Sequence, residues 1–225
     1  MNTMKTVAAV PSKDMPSLTH LGVSDFARVY EPSDDTFLLC DALSADADEL
    51  RRRCPSLCVE IGSGSGCVIT HLASLLPSAV LLALDVNRDA AVASRATAAA
   101  NGAGLRVEAL HMDLVHALRP ASIDVLVFNP PYVPTSEDEL AEAIASRDIS
   151  AAWAGGERGR RVLDRLLPAI GHALSPRGLF YLLGVAENDR EEIATILRAQ
   201  GLGADLVAER RAQNERLFVM RFSRM

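Results

Sequence analysis

The sequence of 225 residues has no excess of basic residues, few aromatic residues and only four cysteines. Its formal net charge of −6 argues against non-specific binding of nucleic acid through a broad basic surface. The cysteines contain no Cys-x-x-Cys pair, and no histidine lies at the spacing of a zinc site. We therefore expect reduced thiols, no bound metal and a reducing compartment. The four cysteines are Cys40, Cys54, Cys58 and Cys67.

Long apolar runs are also missing. No segment approaches the roughly 20 apolar residues that a membrane-spanning helix needs. The N-terminal residues lack the continuous apolar stretch of a secretory signal. These absences predict a protein of the cytoplasm, with the nucleus as an alternative, that makes no membrane contact.

Strand-like and helix-like segments alternate through most of the chain, which predicts an α/β fold. The predicted strands span residues 57–61, 80–84, 105–110, 123–128, 179–185, 204–208 and 216–222. The predicted helices begin after Pro32 and span residues 67–76, 88–100, 159–173 and 189–200. We expect a seven-stranded, mostly parallel sheet with helices on both faces and a C-terminal antiparallel hairpin. Residues 1–21 are predicted to be a flexible leader, and residues 22–225 a single domain.

The most informative motif is Asn129-Pro130-Pro131-Tyr132, at the carboxyl end of the fourth predicted strand. Prolines lack an N–H and have a fixed φ, so the turn is stiff and presents carbonyl acceptors without a competing donor. The Asn129 side-chain oxygen and the Pro130 carbonyl can accept the two N–H groups of a planar amine, and Tyr132 can stack on its face. The motif therefore predicts a site that presents a nitrogen to an electrophile.

A glycine-rich turn, Gly62-Ser63-Gly64-Ser65-Gly66, follows the first predicted strand and opens a helix, where backbone N–H groups can approach a ligand. Glu60 suits a ligand that carries an ammonium group. Asp85 ends the second strand, where an acid usually binds ribose hydroxyls, and Asp113 follows the third, where a carboxylate can read an adenine amino group. For each acid alone, a helix cap or turn former is an equally good interpretation. Together, the three acids point to S-adenosylmethionine.

These motifs resemble a class I methyltransferase of the kind that methylates amines, which implies a Rossmann-like fold. Two further segments resemble the HemK-like methyltransferases of eukaryotes and archaea. They are residues 29–39, with the sequence VYEPSDDTFLL, and residues 151–160, with the sequence AAWAGGERGR. The resemblance extends from about Asp25 to the C-terminus. The leader and the acidic stretch of residues 136–150 are longer than the family pattern.

The resemblance implies methylation of the side-chain nitrogen of a glutamine, in the Gly-Gly-Gln motif of the class I translation termination factor. The implied cofactor-binding residues are Thr36, Glu60, Gly62, Gly64, Asp85, Asp113, Leu114 and Asn129. The implied substrate-binding residues are Asn129, Pro130, Pro131 and Tyr132, of which Asn129, Pro130 and Tyr132 carry the reaction.

Family members work with a small zinc-containing activator protein, so the resemblance implies a heterodimer. The predicted strand 105–110 is apolar, and ordinary topology places it at an edge of the sheet, where it needs to be covered. The activator is one candidate for that cover, and a helix of the same chain is an equally good one.

The sequence is also compatible with three alternatives to glutamine methylation. An adenine-N6 methyltransferase fits the Asn-Pro-Pro-Tyr motif equally well, because a flipped adenine also presents a planar amine. Such enzymes usually add a target-recognition domain or a basic surface, and this sequence predicts neither. Lysine methylation, linked to histones for some mammalian relatives, is possible as a second activity. A non-catalytic scaffold that binds S-adenosylmethionine and acts through its partner is the third.

Overall fold

The apolar segments of the sequence form the strands of a single sheet. The structure is a computed structural model, which describes residues 15–146, 152–212 and 215–225. The strands are β1 (Leu57–Ile61), β2 (Val80–Asp85), β3 (Val107–His111), β4 (Ile123–Phe128), β5 (Leu174–Val185), β6 (Leu202–Ala212) and β7 (Glu215–Arg224). They lie in the order β3-β2-β1-β4-β5-β7-β6. β7 pairs antiparallel with both β5 and β6, and the other four strand pairs are parallel. The predicted, mostly parallel sheet and its closing antiparallel hairpin are therefore confirmed.

The strand order reverses between β1 and β4, which are neighbours in the sheet but distant in sequence. In open α/β sheets, ligands bind beyond the carboxyl ends of the strands at such a reversal. The loops after β1, β2 and β4 therefore meet at one crevice, and the motifs singled out in the sequence lie on these loops.

Helices pack on both faces of the sheet, as predicted. They are α1 (Val23–Phe26), α2 (Asp34–Ala45), α3 (Ala47–Arg53), α4 (Cys67–Leu75), α5 (Arg88–Ala100), α6 (Glu137–Ser146), α7 (Arg161–Leu166), α8 (Ile170–Ala173) and α9 (Arg190–Arg198). Neighbouring residues of β1 face opposite sides, because side chains alternate along a strand. Cys58 packs in the apolar core formed with α2 and α4, whereas Val59 packs in the core formed with α7 and α9.

The single helix predicted for residues 159–173 is wrong. The chain instead forms a 3-10 turn at Glu157–Gly159, then α7, a second 3-10 turn at Leu167–Ala169, and α8. Pro168 explains the interruption, because it has no N–H to donate to the carbonyl of Asp164 in a continuous helix.

Several strand boundaries differ from the prediction. The predicted strand 105–110 begins too early, because Leu105 and Arg106 lie in a turn in which the Arg106 N–H donates to the Ala103 carbonyl at 2.9 Å. β5 begins at residue 174 instead of 179, across a register irregularity beside Ile123. The closing strands are also longer than predicted, because their pairing continues from Leu202 to the hairpin end.

The N-terminal prediction can be followed only in part, because residues 1–14 lie outside the described residues. Residues 15–21 contact the rest of the chain. The Ser17 N–H donates to the Asn101 side chain at 2.8 Å, and His20 Nε2 lies 3.0 Å from the Thr97 hydroxyl. The division of the chain at residue 21 stays a prediction.

The acidic stretch of residues 136–150 contains α6. Ser136 and Glu139 form a reciprocal cap at its start, where the Ser136 N–H donates to the Glu139 carboxylate at 2.8 Å and the Glu139 N–H donates to the Ser136 hydroxyl at 3.2 Å. Residues 147–151 lie outside the described residues. Among the described helices, none has the length and apolar character needed to cross a membrane.

Candidate active site

Three loops meet at the carboxyl ends of β1, β2 and β4. Ile61 pairs with Leu84 on one side and with Phe128 on the other. The next residues are Gly62, Asp85 and Asn129, which therefore lie side by side. A Cβ atom on Gly62 would lie 3.8 Å from the Asn129 carbonyl oxygen, and the φ of Gly62 is +65°. The β1 loop and the Asn-Pro-Pro-Tyr loop are thus in contact at the centre of the crevice.

The glycine-rich turn is pressed against α5. A Cβ on Gly66 would lie 2.5 Å from the Cα of Ser94, and the φ of Gly66 is +78°. The Ser94 hydroxyl donates to the Gly64 carbonyl at 3.1 Å, and the Thr97 hydroxyl donates to the Ser65 carbonyl at 2.6 Å. Because these carbonyls are held by α5, the N–H groups at the start of α4 are fixed beside the crevice.

Glu60 is a buried carboxylate at the end of β1, with a relative exposure of 2%. The Ile69 N–H donates to it at 2.8 Å, but burial still raises the pKa of Glu60 well above its usual range. Across residues 15–146, 152–212 and 215–225, no ion pair includes Glu60. A buried carboxylate without a cation is costly, so this position suits a ligand that brings a positive charge.

Asp85 lies at the end of β2 and binds two loops. Its carboxylate accepts from the Gly64 N–H at 2.9 Å and from the Asn87 N–H at 2.8 Å. Burial raises the pKa of Asp85. A carboxylate has about four acceptor positions, so Asp85 keeps capacity to accept from a ligand. Asp85 thus fits both interpretations offered by the sequence, the turn former and the ribose ligand.

Asp113 and Leu114 follow β3, one strand further from the centre of the sheet. The Asp113 side chain is about half exposed and forms an ion pair with Arg165 of α7. Leu114 is buried and has a φ of +53°, which is unusual for a residue with a Cβ atom. Among the described residues, no hydrogen bond joins Asp113 or Leu114 to Asn129 or to the glycine-rich turn, so the predicted role of Asp113 toward adenine and that of Leu114 toward the cofactor stay predictions.

The Asn129 side chain has one satisfied end and one unsatisfied end. Its Nδ2 donates to the Asp35 carboxylate at 2.9 Å. Because an ionised carboxylate can only accept, this bond fixes which way the amide points. The Asn129 Oδ1 is buried and has no hydrogen-bond partner among the described residues. It is a buried acceptor without a donor.

Asp35 is the centre of this arrangement and is only 3% exposed. Besides Asn129, it accepts from the Tyr30 hydroxyl at 3.2 Å and from the Thr36 N–H at 2.6 Å. The Thr36 hydroxyl also donates to it at 3.1 Å. Burial and the Asp35 charge raise the pKa of Tyr30. Thr36, predicted to bind the cofactor, thus lies beside the crevice and binds Asp35.

The rest of the Asn-Pro-Pro-Tyr motif forms one wall of the crevice. Tyr132 is largely buried, and its hydroxyl donates to Glu215 at 3.4 Å. Burial, followed by the charges of Asp35 and Glu215, raises the pKa of Tyr132. Pro130 is buried, and within the described residues no hydrogen bond to its carbonyl is found. The Pro130 carbonyl and the Asn129 Oδ1 are therefore two acceptors without donors in one loop.

A cavity of about 460 Å³ opens beside this wall. Its lining combines aromatic rings with carboxylates, and includes Tyr30, Tyr132, Trp153, Asp34, Asp35 and Glu215. No lysine or arginine of the described part of the chain lines it. The cavity therefore suits a neutral or positively charged group and disfavours a phosphate.

The sequence interpretation missed Asp35, Tyr30 and Glu215. Asp35 lies within residues 29–39, but an acid in the first turn of a helix is ordinarily explained by the helix dipole. Its contact with Asn129 spans 94 residues, and no local pattern marks it. Glu215 is the first residue of β7, two strands away from β4 in the sheet and far from it in sequence.

The chain is similar to known methyltransferases, both by a family model and by individual relatives. The family model described as the methyltransferase small domain matches residues 36–180. The chain is 46% identical over 220 residues to "Methyltransferase HEMK2" of Mus musculus, and the match covers 96% of this chain and 99% of the relative. It is 35% identical to "eRF1 methyltransferase catalytic subunit mtq2" of Schizosaccharomyces pombe, with 93% and 95% covered.

A solved structure is also similar. It is the Mtq2-Trm112 complex of E. cuniculi, described as responsible for methylation of the eRF1 translation termination factor. The TM-score is 0.64 at 26% sequence identity, and the match covers 88% of this chain and 99% of the other.

We predict that Glu60→Gln stabilises the ligand-free protein and weakens cofactor binding. Glutamine keeps the shape and the acceptor for the Ile69 N–H but removes the buried charge. The raised pKa of Glu60 means that the wild-type protein loses stability as pH rises through that pKa, so the variant's advantage should be larger at pH 8 than at pH 5. Loss of the ammonium partner should weaken S-adenosylmethionine binding by about 10- to 100-fold.

Denaturant unfolding at the two pH values and calorimetric titration with the cofactor test this expectation. Glu191→Gln is the control, because the Glu191 side chain is 85% exposed on α9. Cofactor binding by Glu60→Gln at wild-type affinity would remove Glu60 from the cofactor site.

Proposed function

The chain belongs to the methyltransferase small domain family and is a HemK-like methyltransferase, as its sequence motifs predict; from this premise we propose that it methylates a glutamine side chain. The substrate is the glutamine of the Gly-Gly-Gln motif in the class I translation termination factor, and the reaction takes place in the cytoplasm. The observation that carries this proposal is the buried Asn129 Oδ1, an acceptor without a donor at the carboxyl end of β4.

The residues around the glycine-rich turn fit S-adenosylmethionine as the cofactor. When bound, S-adenosylmethionine supplies a methyl group that its sulfonium makes electrophilic. Glu60 is a buried carboxylate without a cation and would receive the ammonium group. Asp85 keeps acceptor positions for the ribose hydroxyls, while Gly62 and Gly64 let the backbone approach the ligand closely. Asp113, Leu114 and Thr36 complete the proposed cofactor site.

Asn129 and Pro130 would hold the substrate amide. The Asn129 Oδ1 accepts one N–H of the glutamine amide, and the Pro130 carbonyl accepts the other. Tyr132 packs on the flat face of the amide, and Pro131 stiffens the turn between them. The raised pKa of Tyr132 keeps its hydroxyl protonated, so it presents a neutral ring to the substrate.

The same acceptors address the chemical difficulty of the reaction. An amide nitrogen is a poor nucleophile because its lone pair is delocalised into the carbonyl. Two acceptors on its hydrogens favour a pyramidal nitrogen with the lone pair directed at the methyl group. They also stabilise the positive charge that grows on nitrogen during transfer. Because the Asp35 carboxylate polarises the Asn129 amide through their hydrogen bond, the Oδ1 becomes a stronger acceptor.

No strong base is required. The nitrogen becomes very acidic once it carries the new methyl group, so its proton can leave late, to water or to a nearby carboxylate. The contribution of the chain is therefore to hold the reacting nitrogen in line with the methyl group and to stabilise charge.

Nucleic acid is a poorer substrate for this site. The cavity beside Tyr132 carries the carboxylates of Asp34, Asp35 and Glu215, and no cation among the described residues lines it. Such a surface repels a phosphate backbone, which dominates binding to nucleic acids. Lysine would bring an ammonium group, but the fixed Asn129 and Pro130 acceptors match a planar amide better.

We propose that the chain works as a heterodimer with a small zinc-containing activator. β3 is an edge strand with one neighbour, β2. Its Leu110 is 37% exposed, and Leu105, just before the strand, is fully exposed. An exposed apolar edge is prone to pair with another chain. The similar Mtq2 protein of E. cuniculi was solved in complex with Trm112.

The substrate assignment predicts the position of the methyl group. The heterodimer is incubated with the termination factor and isotope-labelled S-adenosylmethionine, and the product is mapped by mass spectrometry. We expect one methyl group on the glutamine of the Gly-Gly-Gln motif. Asn129→Ala should abolish transfer but keep cofactor affinity, measured by calorimetry, because Asn129 faces the substrate. A label on another residue would contradict the substrate assignment.

Asp35 should be needed for turnover because it orients Asn129. In Asp35→Asn the negative charge that holds the Asn129 Nδ2 is lost, and the Asn129 side-chain amide can flip. We therefore expect kcat to fall by about 10- to 100-fold. Asp34→Asn is a matched control, because Asp34 lies in the same helical turn and lines the same cavity without a recorded bond to Asn129. Equal losses in the two variants would indicate a general charge effect.

The exposed edge strand β3 allows a test of whether the chain pairs with the activator. Expressed alone, the chain should be poorly soluble, and coexpression with the zinc activator should restore soluble protein. Leu110→Lys should prevent complex formation on size exclusion, because it places a charge on the apolar edge. Val23→Lys, at another exposed apolar residue outside the sheet, should leave the complex intact. A soluble and fully active lone chain would count against obligate pairing.

A further inference from the structure

Asn188 has a buried side chain that the proposed reaction does not use, and it lies in the 3-10 turn Ala186–Asn188 that follows β5. Its exposure is 1%, and every polar atom of its amide is bonded. The Oδ1 accepts from the Val185 N–H at 2.8 Å. The Nδ2 donates to the Tyr132 carbonyl at 3.0 Å and to the Arg158 carbonyl at 2.9 Å. Asn188 therefore joins the Asn-Pro-Pro-Tyr loop to residues 153–160, here called the glycine segment.

The glycine segment packs directly on the backbone of the Asn-Pro-Pro-Tyr loop. A Cβ on Gly159 would lie 2.6 Å from the carbonyl carbon of Tyr132 and would overlap its oxygen. A Cβ on Gly155 would lie 2.6 Å from the Pro131 carbonyl oxygen. Only glycine allows this approach, which brings the Tyr132 carbonyl within reach of the Asn188 amide.

Backbone hydrogen bonds fix the two segments in register. The Val133 N–H donates to the Trp153 carbonyl at 3.1 Å, and the Gly155 N–H donates to the Val133 carbonyl at 2.8 Å. Val133 and Ala154 form an isolated parallel bridge. The loop is therefore held on its carboxyl side by a short two-stranded contact.

A buried arginine anchors the glycine segment to α9. Arg160 is 3% exposed, and its guanidinium donates to Glu192 at 2.8 Å and to the Asn188 carbonyl at 3.4 Å. It also donates to Asp164 at 3.0 Å. Because Arg160 binds both α9 and the backbone of Asn188, the Asn188 amide is itself rigidly placed.

We infer that Asn188 is a positioning residue for methyl transfer, which sets the direction of the Asn129 and Tyr132 side chains through the Tyr132 carbonyl. This inference rests on the proposed function of the Asn-Pro-Pro-Tyr loop. Two prolines separate Tyr132 from Asn129 and remove most of the freedom between them, so a shift at Tyr132 reaches Asn129. An amide is required because the groups that face Nδ2 are all carbonyl acceptors, those of Tyr132, Arg158 and Gly159.

The first test replaces the donor without changing the shape. Asn188→Asp presents an oxygen to two carbonyls, so the Tyr132 carbonyl should be pushed away. We expect kcat for the termination factor to fall by about 100-fold, because small misplacements of reacting groups have such effects. Cofactor affinity, measured by calorimetry, should change by less than about twofold, because Asn188 does not touch the glycine-rich turn. Retained cofactor binding also shows that the variant is folded.

A second pair of variants tests displacement of the Tyr132 carbonyl by a residue other than Asn188. Gly159→Ala places a methyl group against Tyr132, at a φ of +65°. Gly201→Ala is the matched control, because Gly201 has a φ of +81° and nothing lies within 4 Å of its added Cβ. Both variants carry the backbone strain of a positive φ, but only Gly159→Ala should lower kcat. This pair tests the inference even where Asn188→Asp fails to fold.

Trp153 supplies a readout that does not depend on turnover. It is the only tryptophan of the chain, it is 41% exposed, and it lies in the glycine segment beside the cavity. Its emission maximum should shift in Asn188→Asp and Gly159→Ala and stay unchanged in Gly201→Ala.

The outcomes separate the inference from the proposed function. Wild-type kcat and Trp153 emission in folded Asn188→Asp and Gly159→Ala would overturn the positioning role. A wild-type heterodimer that leaves the termination factor unmethylated would overturn the proposed function, while the emission shifts would still report on the loop.

Discussion

The hydrogen bond between Asn129 and Asp35 is the contact on which the proposed reaction depends. It is 2.9 Å long and joins the end of β4 to the first turn of α2. Since a carboxylate accepts and does not donate, the bond holds the Asn129 nitrogen at Asp35 and leaves the buried Oδ1 without a donor, as the proposed substrate contact requires. Without Asp35 the amide could present either end, and a donor in that position would repel the N–H groups of a glutamine. In the proposed reaction, the specificity of the site therefore begins in a buried residue that need not touch the substrate.

The same loop is constrained from its other side by contacts between backbones. Gly62 lies against the Asn129 carbonyl, and Gly159 lies against the Tyr132 carbonyl. Asn188 then binds the Tyr132 carbonyl from within the core. Two separate glycine-containing segments therefore contact the Asn-Pro-Pro-Tyr motif. In the proposed reaction, the first would bring the cofactor close to the reacting nitrogen, and the second would prevent the Asn-Pro-Pro-Tyr loop from moving away.

The sequence predicted those features that depend on local pattern. Apolar runs marked the central strands, and prolines and glycines marked the loops at their carboxyl ends. Asn129, Glu60 and Asp85 thus lie at the ends of neighbouring strands, as predicted, and their roles toward ligands stay predictions. Features that depend on long-range contacts escaped it. Asp35 has the local environment of any acid in a first helical turn, and Asn188 follows a strand like many turn residues. The single helix predicted for residues 159–173 took no account of Pro168, which lies in the 3-10 turn between α7 and α8.

Two groups in the crevice are unfavourable for the ligand-free protein. Glu60 is a buried carboxylate without a cation, and the Asn129 Oδ1 is a buried acceptor without a donor. Both lie at the ends of neighbouring strands, β1 and β4, and both disfavour folding. In the proposed reaction, the ammonium group of the cofactor would compensate Glu60, and the substrate amide would donate to the Asn129 Oδ1. A ligand that binds only the folded state would therefore stabilise it. A more stable chain would carry an uncharged residue at position 60 and a side chain with all its hydrogen bonds made at position 129. Such a chain would lose the two proposed contacts with the reactants. The lower stability of the empty crevice is thus a consequence of its chemistry.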